Sequence, residues 1–238
     1  MKLVKTVNAC GLQCPGPILQ LKNAIDEVKE GEAISITATD PGFVADAPAW
    51  CNTTGHELVS LEPVEKGAYC AVVVKCGGSS SDKRAMTNVI FSNDFDKAVA
   101  AFIIANGAAA AGYDVTLFFT FWGINILRKS GPVMAKKTLI EKMFGVMMPK
   151  GPDRLKLSQM NMGGMGLAMI KGIMKKKNVM PLPALIAQAK LSGVKLIVCT
   201  MSMDLMGIKK EELIDGVEEG GVAMYVDNLS RSSANLFI

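Results

Sequence analysis

The chain has 238 residues, of which half are hydrophobic and 20% are charged. At about 150 residues per domain, that length suits one large domain or two small ones, and the apolar fraction excludes an intrinsically disordered chain. Neither a Gly-X-Y period nor a sustained heptad pattern runs through it, which excludes collagen and coiled coil.

Leu3–Val7 reads as a short strand. Pro15 and Pro17 open a helix that carries Ile18, Leu21, Ile25 and Val28 on one face, and Gly31 ends it. Ile34, Ile36 and Ala38 alternate as a half-buried strand. Asp40-Pro41-Gly42 turns into a second helix, Val44–Thr53, closed by Gly55. Strands follow at Glu57–Leu61 and Tyr69–Lys75. This βαβαββ order predicts a two-layer α/β sandwich over residues 1–76. Residues 77–83, Gly-Gly-Ser-Ser-Ser-Asp-Lys, have the composition of a flexible linker.

Residues 84–238 alternate strand and helix. Strands are expected at Asn88–Phe91, Val115–Phe121 and Val194–Cys199, with helices at Asp96–Ala111 and Pro183–Leu191. Residues 130–180 read as helix interrupted by Gly and Pro; a short helix at Lys209–Ile214 and strands at Ala223–Val226 and Leu236–Ile238 complete the pattern. Apolar strands separated by helices predict a second α/β domain with a parallel sheet covered on both faces.

The opening residues, Met1–Thr6, lack the apolar run of a signal peptide. Asp114 divides the most apolar region, Ala98–Leu127, into stretches shorter than the roughly 18 residues of a spanning helix. The expectation is a cytoplasmic protein, with membrane association as a minor alternative. Residues 1–76 hold six lysines against nine carboxylates, net −3, and the remainder is net +7. That is too mild a balance to argue for nucleic acid.

The six cysteines are read as thiols of a reducing compartment. Cys14, in Cys14-Pro15-Gly16-Pro17, stands at the start of a helix, where exposed N–H groups and the helix dipole favour the reactive thiolate. Pro15 suits the first helical position, and Pro17 stiffens the turn. Cys10 precedes Cys14 by too many residues for a C-x-x-C site and reads as a strand-end cysteine with no role; the alternative is an auxiliary role, resolving an oxidised Cys14. Cys51, Cys70 and Cys76 read as core, and a zinc site lacks the short paired spacings. His56, the one histidine, follows a helix-ending glycine and reads as structural. Cys199 ends the most apolar strand, at the edge where open α/β sheets place ligands. Thirteen of the 16 methionines lie between Met134 and Met206. They suit a pliable core, a subunit contact or a mobile cover over Cys199, with Cu(I) ligation as the metal-binding alternative. Lys171, Lys175, Lys176 and Lys177 read as a solvated helix end, or as a dock for an acidic carrier domain.

Residues 8–76 resemble a TusA-type sulfur carrier through Cys14-Pro15-Gly16-Pro17, Asp40-Pro41 and Trp50–Leu58. Residues 86–238 resemble the DsrE/DsrF-like family, in particular the subgroup fused to TusA-like domains. The matching stretches are Thr120–Gly123, Met160–Gly166 and Cys199–Gly207. The first resemblance implies a persulfide carried on Cys14. The second implies sulfane-sulfur transfer on Cys199, the only cysteine of its domain, in a homo-oligomer. Together they imply an intracellular sulfur relay without a cofactor or metal. Its donors would be of the rhodanese or cysteine desulfurase type, with downstream sulfur acceptors. Two other functions fit the residues alone: a thiol-disulfide or peroxide redox protein using Cys10 and Cys14, and a Cu(I)-binding or assembly module on the methionine-rich segment.

Overall fold

Two separate sheets form, one from residues 2–74 and one from residues 85–237. The computed structural model describes residues 2–77, 84–135 and 137–238. The expected linker, apart from Gly77, lies outside the described residues.

The first sheet contains β1 (Lys2–Ala9), β2 (Glu32–Ala38), β3 (Glu57–Val64) and β4 (Ala68–Val74), in the order β1-β2-β4-β3. β1 and β2 are parallel; β4 runs antiparallel to both β2 and β3. Helices α1 (Gly16–Asp26) and α2 (Phe43–Thr54) complete the sandwich. Leu21 and Ile25 of α1 meet Ile34, Ile36 and Val73 in one core, as the periodicity predicts.

The second sheet is wholly parallel and contains β5 (Ala85–Ile90), β6 (Asp114–Phe119), β7 (Lys195–Cys199), β8 (Val217–Gly220) and β9 (Ser232–Phe237). Its order is β8-β7-β6-β5-β9. Helices α3 (Phe95–Ala110) and α6 (Leu182–Leu191) bury Leu117, Phe119, Leu196 and Val198 on one face. Alternation turns Phe118, Ile197 and Cys199 to the opposite face, where they form a much smaller cluster with Tyr225. The two covers are therefore unequal. Between β6 and α6 lie α4 (Leu139–Met147) and α5 (Met165–Lys176). α5 buries only Gly166, and Met147, Met165 and Met169 are exposed. The methionine-rich segment is thus largely surface, although Met148, Met203 and Met206 do enter the core.

Three expectations are corrected. Ala223–Val226 is not a strand but part of α8 (Val222–Ser230). A four-residue apolar run does not distinguish strand from helix, and two parallel strands at opposite edges of a sheet need a long crossover, which α8 supplies. Lys209–Ile214 contains only a 3-10 turn at Lys210–Glu212; the helix before it, α7 (Thr200–Met206), was not anticipated. Phe121 leaves the strand with φ 45° to begin a 3-10 segment. Gly123 follows it closely against β5: a Cβ there would lie 2.1 Å from the Ile90 carbonyl oxygen.

A buried ion pair closes this domain. Arg128, 1% exposed, donates from Nη2 to Glu212 at 2.7 Å and from Nη1 to Asn125 at 3.1 Å. Lys137 pairs with the same carboxylate. Burial opposes ionisation of Glu212, but hydrogen bonds from Lys137, the Lys209 backbone and Arg128 hold it below the usual carboxylate range. Its stabilisation is therefore complete at neutral pH and is lost as acid protonates it. Glu212→Gln should cost about 3–5 kcal/mol in denaturant unfolding at pH 7, because Arg128 keeps a buried, uncompensated charge. The deficit should shrink towards pH 3.

Candidate functional site

Cys14 ends the loop that joins β1 to α1. Asp40, 7% exposed, fixes this loop from the turn between β2 and α2: its carboxylate accepts the Cys14 N–H at 3.0 Å and the Gly42 N–H at 3.2 Å. Pro15 occupies the N-cap position rather than the first helical one, and Pro17 lies within the first turn. The Gly16 N–H is taken by the Gln13 carbonyl at 2.8 Å.

The thiol is solvent-exposed on one side. On the other it lines a cavity of about 210 Å³ shared with Pro15, Asp46 and Trp50 of the first domain and Gly107 and Ala111 of the second. The two domains meet here. Trp50 Nε1–H donates to the Ala110 carbonyl at 2.6 Å in a buried bond, and Ala110 belongs to the core of the first domain. Trp50 also packs on His56, with ring centres 5.2 Å apart, which gives the lone histidine a structural position. Among the described residues no ion pair crosses this seam. Small apolar residues make the contact, not the charge asymmetry noted in the sequence.

The helix terminus does not lower the Cys14 thiol. Desolvation, followed by the charges of Asp46 and Asp40, raises it above its ordinary value. Asp46 is itself raised, by desolvation and by Asp40. Cys10 is exposed, with its sulfur 3.8 Å from the Thr37 carbonyl. Cys51 is buried and pushed up to about 11 by desolvation and Cys76. All six cysteines are free thiols. Among the described residues no three His, Cys, Asp or Glu side chains come together as a metal cluster.

Cys199 is 7% exposed, at the carboxyl end of β7 and the N-cap of α7. It clusters with Phe118 and Ile197, and Tyr225 packs against this cluster with its ring 5.1 Å from that of Phe118. Ser202, on α7, hydrogen-bonds Thr120 at 2.8 Å, so the helix following Cys199 is tied to the end of β6. Two stretches that carried the resemblance therefore meet around Cys199. The third stretch, Met160–Gly166, carries a glycine with an architectural cause: a Cβ on Gly166 would fall 1.9 Å from the Met160 carbonyl oxygen.

The two candidate cysteines are not brought together. α3 returns antiparallel to the strands, so Gly107 and Ala111, and with them Cys14, lie towards the amino edge of the parallel sheet. Cys199 lies at the carboxyl edge. A five-residue strand separates these edges by about 17 Å. Among the described residues no helix is long and apolar enough to cross a membrane.

Residues 82–237 match the family described as DsrE/DsrF/DrsH-like, and residues 5–75 match sulfurtransferase TusA. An uncharacterized protein, YrkE of Bacillus subtilis, is 55% identical over 64% of this chain and 95% of its own length. Sulfur carrier protein DsrE2 of Allochromatium vinosum is 35% identical over 66% of this chain and 99% of its own. The putative sulfur carrier protein YrkF of Bacillus subtilis is 38% identical over 36% of this chain and 45% of its own.

Thiolate is the reactive form, so alkylation of Cys14 should rise with pH through a midpoint above that of an unstructured thiol. Asp46→Asn removes a negative charge beside the sulfur. It should lower that midpoint and speed alkylation at pH 7.5 several-fold, at about tenfold per pKa unit. Peptide mapping of iodoacetamide-treated protein provides the measurement. In the same experiment Tyr225→Ala should uncover Cys199 and raise its labelling without changing that of Cys14.

Proposed function

The chain belongs to the DsrE/DsrF/DrsH-like family and carries a TusA sulfurtransferase domain ahead of it, and on that premise we propose that it relays sulfane sulfur through cysteine persulfides. The observation that carries this reading is Cys14: an exposed thiol at a helix start, on a loop held by buried Asp40, inside the TusA match. The thiolate attacks the outer sulfur of a donor persulfide. The donor's S–S bond breaks, the donor leaves as a thiolate, and Cys14 keeps the sulfur as S–SH, with no net oxidation. No cofactor enters this exchange. Donors of the rhodanese or cysteine desulfurase type, and a cytoplasmic setting, suit that chemistry.

Cys199 is the second station. With Cys14 towards the amino edge of the sheet and Cys199 at the carboxyl edge, delivery on this reading follows release of the carrier from α3. A neighbouring subunit's Cys199 is an equal target. The exposed apolar side chains of α4 and α5, such as Val146, Met147 and Met165, suit a contact between copies.

Incubation with a persulfide donor should add about 32 Da per loaded thiol to the intact mass. Cys14→Ser should abolish the first addition, and Cys10→Ser should not. A loss of about 2 Da instead, reflecting a Cys10–Cys14 disulfide, would favour the redox reading. For the relay, Cys14→Ser and Cys199→Ser chains are mixed and the surviving Cys14 is loaded. Sulfur arriving on Cys199 of the other chain establishes transfer between subunits. No transfer in either the mixture or the unaltered protein would remove the internal relay. In sedimentation of the full chain, Met147→Glu with Met165→Glu should shift the population towards monomer.

A further inference from the structure

A larger cavity, separate from that of Cys14, opens towards the other end of α3. It encloses about 560 Å³ between the start of α3, the end of α5 and the start of α6. Phe95 and Gly107 are twelve residues apart on α3, so the two cavities are about 18 Å apart along that helix. The walls are apolar, formed by Phe95, Met174, Met180 and Leu182. Lys171 and Lys175, one turn apart on α5, line the same space, and Lys171 Nζ stands 5.2 Å from the centre of the Phe95 ring. Asp153 is the one carboxylate of the lining, against two lysines. Neither ammonium takes part in an ion pair among the described residues.

An apolar space with a few convergent polar groups is the usual form of a small-molecule site. The charge imbalance selects the sign of the ligand. We propose that this cavity binds an amphipathic organic anion, its apolar or aromatic body lying between Phe95 and Leu182 and its carboxylate, sulfonate or phosphate meeting Lys171 and Lys175. The site also borders the carrier. Asn178, part of its lining, faces Gly11 of the Cys10–Cys14 loop; a Cβ on Gly11 would lie 3.5 Å from Asn178 Nδ2. An occupant therefore sits beside a residue that touches the carrier loop. The assignment is independent of persulfide chemistry.

The test titrates the full chain with 8-anilinonaphthalene-1-sulfonate and with its neutral counterpart, N-phenyl-1-naphthylamine, followed by fluorescence. One sulfonate probe should bind per chain, more tightly than the neutral one. Lys171→Gln with Lys175→Gln should weaken the sulfonate about fivefold and leave the neutral probe within about twofold. Val179→Trp, which narrows the space, should weaken both. Unchanged sulfonate binding in the lysine variant overturns the proposal, and so does equal loss of both probes in that variant when its circular dichroism is native. Several probes per chain, indifferent to every substitution, would place binding on the exposed methionine faces and also reject it. If Val179→Trp does not fold, the lysine pair decides alone.

Discussion

The hydrogen bond from Trp50 to the Ala110 carbonyl determines how the rest of the molecule can work. A helix leaves its last carbonyls without partners, and the final turn of α3 gives one of them to an indole from the other domain. Side chains there are small, so the carrier approaches closely and Ala110 is absorbed into its core. That single docking geometry sets Cys14 against Gly107 and Ala111, away from the edge that holds Cys199.

Each thiol is restrained by different physics. Cys14 is open to solvent, and its thiolate is disfavoured by desolvation and by two carboxylates. Asp40 both shapes the loop and repels the charge, so the residue that positions the sulfur also tempers it. Cys199 is restrained by burial: it sits in the small cluster with Phe118 and Ile197, against which Tyr225 packs, on the thin side of the sheet. The thick side, under α3 and α6, supplies the stable platform. The thin side depends on one aromatic pair, and it is there that the sulfur is found.

Much of this organisation was legible in the residues. The 3.6-residue period from Ile18 to Ile25, the alternation of Ile34 and Ile36, and the apolar strands around Phe119 and Val198 all correspond to real elements, because burial enforces those periods. Where the periods were short, legibility failed: Ala223–Val226 has too few residues to separate helix from strand. The glycines at 123 and 166 looked like family signatures; their cause, a carbonyl oxygen occupying the place of a side chain, is visible only in three dimensions. The acidic neighbours of Cys14 were equally hidden. Asp40 and Asp46 lie 26 and 32 positions further along the chain, and no local pattern places them at the sulfur. The seam through Trp50 and Ala110, 60 positions apart, had no signal at all.

The pairing of β5 with β9 carries a further consequence, for how the protein is made. β5 opens the second domain, yet its partner on one side is the last strand, from Ser232 to Phe237. On the ribosome, β5 emerges with an open edge that stays unpaired until nearly 150 further residues have been synthesised, roughly 7 to 30 seconds at 5–20 residues per second. The first sheet closes entirely within the first 74 positions. The carrier can therefore fold while its neighbour is still being translated. The seam at Ala110 is available for docking before the sheet behind it is complete.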